Sequence, residues 1–156
     1  MAPALAKSVA PVVPPALKGL ALGMDAAAVQ ARFAEAECGE RLCVITLPEG
    51  FTLAQQPASR AMVGLYQGHA VAISFELPQG AWDDLCRALR QHPTYATWRF
   101  VNDEDAGACQ MAARGHRWRL EVSSSDDGSV VRATLLDVKG FNANQLELDR
   151  ARAADL

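Results

Sequence analysis

Apolar positions recur at two spacings along this chain, and the switch between them marks its elements. Val71, Ile73, Phe75 and Leu77 alternate with Ala72, Ser74 and Glu76, the period-two pattern of a strand with one face in a core. With residues 61–67 across Gln67-Gly68, this segment predicts a β-hairpin over 61–77. The period then changes. Trp82, Leu85, Cys86 and Leu89 fall at i, i+3, i+4 and i+7, so residues 80–91 read as an amphipathic helix ending before Pro93.

The flanking segments follow the same logic. Asp25 can cap a helix over about 26–35, with Met24 and Val29 as a hydrophobic staple around the first turn. Leu42 to Leu47 is rich in β-formers and is stopped by Pro48-Glu49-Gly50. Four more strands are expected over 95–101, 108–114, 117–123 and 130–138, and Asn142 could cap a weak last helix through Leu148 and Arg150. The predicted fold class is α+β, with two main helices packed on one face of an antiparallel β-sheet in the order helix–strands–helix–strands. Residues 1–16 read as a flexible Ala/Pro-rich linker or leader remnant, 17–141 as a single domain, and 142–156 as a weak helix or tail.

Composition narrows the function. The chain has 156 residues, half of them hydrophobic, and a net charge of −3, so one core is expected and phosphate-driven nucleic-acid binding is disfavoured. Its apolar runs fall short of a bilayer span, so no transmembrane segment is expected. Four cysteines suit two disulfides in an oxidising compartment. Three pairings are possible, and the sequential one, Cys38 with Cys43 and Cys86 with Cys109, is expected; reduced core cysteines or a four-thiolate metal site are the alternatives. Ala4-Leu5-Ala6 has the form of a signal-peptidase site, which agrees with a periplasmic location, and the prolines at 11, 14 and 15 suit a tether to a membrane.

The Leu20-x-Leu22-Gly23-Met24 entry, the helix with Val29, and Cys38 and Cys43 after it together resemble the repeat unit of β-lactamase inhibitor proteins and of small outer-membrane assembly lipoproteins of the BamE (SmpA/OmlA) type. The resemblance covers about residues 17–47 and departs from the usual Gly-Met-Ser/Thr step in having Asp25, which keeps the cap chemistry. A second Gly-Met before the helix of residues 80–91 is missing. What the resemblance implies is a non-catalytic module that acts by binding other proteins.

The residues agree with an absence of catalysis. There is no H-E-x-x-H, G-x-S-x-G or phosphate-cradling glycine loop, and His69, His92 and His116 fall near predicted turns. No cofactor or metal is expected: a calcium loop starting at Asp103 would need an acid where Arg114 stands. Asp103, Glu104 and Asp105 form an acidic turn next to Cys109, suited to a cationic cleft on a partner. Tyr95, Trp98, Arg99, Arg114, Arg117 and Arg119 supply the residue types that dominate interfaces, with Trp98 and Trp118 expected nearer the core. The partner-binding set is therefore Asp103, Glu104, Asp105, Tyr95, Arg99, Arg117 and Arg119. The expected partner is a secreted hydrolase or toxin that the chain inhibits; the alternative is an envelope assembly complex that it joins as a tethered accessory.

Overall fold

The computed structural model describes residues 13–101, 109–115 and 117–156. Its centre is one antiparallel sheet of eight strands. In chain order these are β3 (Glu37–Cys38), β4 (Leu42–Thr46), β7 (Arg60–Tyr66), β8 (His69–Pro78), β9 (Arg99–Phe100), β10 (Cys109–Ala113), β11 (Trp118–Ser124) and β12 (Val130–Asp137). Across the sheet the order is β3-β4-β7-β8-β12-β11-β10-β9. Two small hairpins, β1 (Ala16–Leu17) with β2 (Leu20–Ala21) and β5 (Thr52–Leu53) with β6 (Gln56–Pro57), stand outside it, as do three α-helices.

Strand alternation gives the sheet two unlike faces. One face carries Ile45, Ala61, Val63, Ile73, Phe75, Ala133, Leu135, Leu120, Val122 and Met111, all buried in a single core. Helix α1 (Ala26–Arg32), helix α2 (Trp82–Gln91) and the small hairpins close this face through Val29, Leu85, Leu89, Leu20 and Leu53. Asp25 accepts the Ala28 amide at 2.8 Å and so caps α1. The other face bears cross-strand polar pairs. Ser74 meets Thr134 at 2.9 Å, Arg132 meets Glu76 at 3.4 Å, and Gln110 donates to Glu121 at 3.2 Å.

This architecture corrects the expected α+β class. Among the described residues strand outweighs helix by 40% to 27%, a hairpin precedes α1, and the longest helix, α3 (Val138–Ala154), comes last. The reasons are physical. Two-residue strands such as β1, β3 and β5 are too short to show a period, and α3 buries none of its residues, so it has no apolar stripe to read. Asp137, not Asn142, caps α3 by accepting the Gly140 amide. The strand expected over 95–101 is instead a 3-10 turn, Tyr95–Thr97, followed by the two residues of β9. Pro93, just after α2, leaves the chain a turn there before extension resumes.

Helix α3 crosses the polar face near one end, above β12, β8 and β7. Arg41, before β4, anchors it by donating to Asn144 at 2.9 Å and to Glu147 at 3.0 Å. Val71, expected in line with Ile73 and Phe75, is the unpaired residue of a β-bulge opposite Gly64/Leu65 and packs beneath Gly140, outside the main core. A Cβ at Gly140 would lie 2.6 Å from Val71 Cγ1. Alanine gains up to about 1 kcal/mol over glycine in a helix, but overpacking costs about 1–3 kcal/mol. Gly140→Ala is therefore expected to lower stability in urea denaturation by about 1 kcal/mol. A stabilised variant would mean that α3 is not seated on Val71.

Candidate functional site

Arginines gather at the β9–β11 edge of the sheet. Arg99, Ala112, Arg119 and Leu136 pair across β9, β10, β11 and β12 in one row, so Arg99 and Arg119 stand on the polar face with the small Ala112 between them. The two backbones are about 10 Å apart, two strand spacings. Arg114 occupies the β10–β11 turn, and Arg117 lies just before β11.

Aromatic rings support this corner from the core side. Trp98 stacks on Trp118 with centroids 6.4 Å apart, and Tyr95 meets Trp98 edge-on at 4.9 Å. The Arg114 guanidinium lies 5.7 Å above the Trp118 ring, and Arg90, in the last turn of α2, lies 4.2 Å above Phe100. Among the described residues, of these arginines only Arg117 forms an ion pair, with Asp137 at 3.8 Å. Arg119 Nε is buried with no hydrogen-bond partner there. A buried donor without an acceptor is costly.

An open cavity of about 370 Å³ lies in this corner, lined by Thr97, Trp98, Arg99, Ala112, Ala113, Arg114 and Gly115. Its lining among the described residues is two arginines, a tryptophan and smaller residues, with no carboxylate. A larger cleft of about 620 Å³ lies at the β5–β6 side between Pro48, Phe51, Pro57, Leu77, Pro78 and Val130. It is mostly apolar, and of the two acids in its lining, Glu49 and Glu76, the second is already paired with Arg132.

Of the residues expected to bind a partner, Arg99, Arg117 and Arg119 are brought together here. Arg99 and Arg117 are exposed and Arg119 is half-buried. Tyr95 is a correction: its side chain is 1% exposed, and its hydroxyl donates to the Ala16 carbonyl, tying the 3-10 turn to β1. Asp103, Glu104 and Asp105 lie outside the described residues; the segment that holds them joins Val101, whose amide donates to Gln110, to Cys109. The pocket role of Arg114 was not visible in the sequence, because nothing there shows that its backbone is left-handed, with φ 56°.

Both expected disulfides are formed, Cys38–Cys43 and Cys86–Cys109, and the second ties α2 to the first residue of β10. Among the described residues no group of three His, Cys, Asp or Glu side chains is placed to hold a metal ion. No helix there is long and apolar enough to cross a membrane.

Burial pushes the Tyr95 phenol up to about 12. The unfolded chain would release that proton near 10.0. Stability from this group is therefore full below pH 10 and falls as the pH rises towards about 12, by about 1.4 kcal/mol per unit. Titration by phenolate absorbance should show a late-ionising component that Tyr95→Phe removes. If that component survives in the variant, Tyr95 is not the buried phenol.

Comparison with protein-family models, curated proteins and solved structures finds no match to this chain.

Proposed function

We propose that this chain is a non-catalytic, exported protein-binding module that blocks a hydrolytic enzyme or toxin, as an inhibitor or immunity protein does. The observation that carries this reading is the corner of Arg99, Arg114, Arg117 and Arg119, backed by Trp98 and Trp118, at the edge of a rigid sheet. Arginine and tryptophan are the side chains that most often carry binding energy at protein interfaces, and a guanidinium held on a ring loses little entropy when it binds. Two disulfides support export to an oxidising compartment such as the periplasm. The resemblance of residues 17–47 to the inhibitor-protein repeat points the same way.

The test is capture from an envelope extract on the non-reduced full chain, followed by assay of whatever is held. The expected result is one soluble hydrolase or toxin whose activity is lost in an equimolar complex. Retention of integral outer-membrane proteins alone would contradict the inhibitor reading and favour an accessory role in envelope assembly.

A further inference from the structure

We infer that the cavity between Arg99 and Arg114 is a carboxylate-recognition pocket that receives an acidic side chain from the partner protein. The inference rests on the reading above that this corner is the binding surface, and it adds the chemistry of what binds. Two features carry it. Among the described residues the lining supplies two cations and no acid, with Trp98 and the alanines 112 and 113 as apolar walls for the methylene stem of a glutamate.

The second feature is the backbone of Arg114. It holds φ 56° and is followed by Gly115 at φ 61°, two successive left-handed residues, a step for which Asn-Gly is the favoured pair. An arginine there is strained. The turn places its guanidinium over the Trp118 ring, and Arg114 is part of the cavity lining.

A carboxylate fits better than a phosphate polymer. The same sheet face carries Glu76 and Glu121, and the chain as a whole is at −3, so a dense polyanion laid along the face would meet like charge. One carboxylate entering at the edge avoids both glutamates. Arginine also matches a carboxylate through paired N–H donors in one plane.

The test is a ¹⁵N NMR titration of the non-reduced full chain, following the arginine Nε–Hε signals and the Ala112 amide. The probes are a capped glycine peptide with one central glutamate, the same peptide with glutamine, and inorganic phosphate. The expected result is saturable shifts at Arg99, Arg114 and Ala112 with the glutamate peptide, at an affinity about tenfold or more above that of the glutamine peptide. Arg114→Gly should weaken the glutamate peptide about tenfold or more while leaving the melting temperature unchanged or raised, because glycine removes the strain. Arg99→Gln, at an exposed strand position, should weaken it similarly.

Equal binding of the two peptides, tighter binding of phosphate, or unchanged affinity in both variants would overturn the carboxylate assignment. If a captured partner depends on Arg99 and Arg114 while the glutamate peptide leaves the spectrum unmoved, the pocket inference fails and the inhibitor reading stands. If the peptide binds as expected but no protein partner is captured, the inhibitor reading fails and the pocket stands.

Discussion

Replacing Phe75 with alanine is expected to cost about 3–5 kcal/mol, a large part of the ~5–15 kcal/mol that holds a domain folded. The reason lies in its neighbours. Phe75 is fully buried in β8, and its register partners on either side are Ala61 in β7 and Ala133 in β12. One ring therefore fills the width of three strands, with Phe51 stacked on it at 6.0 Å and Phe33 tilted against Phe51 at 5.9 Å. Alanines cannot swing into the space it leaves, so the cavity stays open. Met62, on the polar face of the same strand pair, is half-buried. Met62→Ala should cost about 1 kcal/mol or less. Urea midpoints at unchanged slope measure both. Equal losses at the two positions would contradict a sheet with one core face and one open face.

Removing the Cys86–Cys109 bridge by a double alanine substitution should lower stability by about 3 kcal/mol and the melting temperature by roughly 6–12 °C. The bridge spans a sequence separation of 23, against 5 for Cys38–Cys43, and on the chain-entropy account the shorter loop contributes about 2 kcal/mol. Location separates the two further. Cys109 opens β10, the strand that carries Ala112 and pairs with β9, whereas Cys38 and Cys43 face each other at the opposite edge of the sheet. Loss of Cys86–Cys109 should therefore weaken partner binding as well as stability, and loss of Cys38–Cys43 should leave binding unchanged. Calorimetry of both variants, with affinity measured below their melting temperatures, distinguishes these outcomes. Equal effects on binding would mean that the site does not lie at the β9–β11 edge.

What was legible in the sequence were the elements with a strong local signal. The 61–77 hairpin, the stripe of α2, the Asp25 cap and the strand over 117–123 all reappear in the structure, because each is set by periodicity, β-propensity or capping within a few residues. What escaped depended on distant partners. α3 has no apolar stripe and is held by Arg41 and by Gly140 on Val71, contacts between residues far apart in sequence. Tyr95 has an interface-type side chain, yet its hydroxyl is satisfied by Ala16 and its ring packs on Trp98. At the site, Arg99, Arg117 and Arg119 were legible as interface-type residues. The pairing of Arg99 with Ala112, and hence with Arg119 beyond it, is a register that no local pattern encodes.

The most direct measurement is the affinity of the captured partner for wild type and for an Arg99→Glu/Arg114→Glu double variant, read beside their melting temperatures. The account predicts a loss of about a hundredfold or more with folding intact, since like charges would then face each other across the pocket. Unchanged affinity in a folded double variant would contradict it, and the arginine corner would be no more than a solvated edge of the sheet.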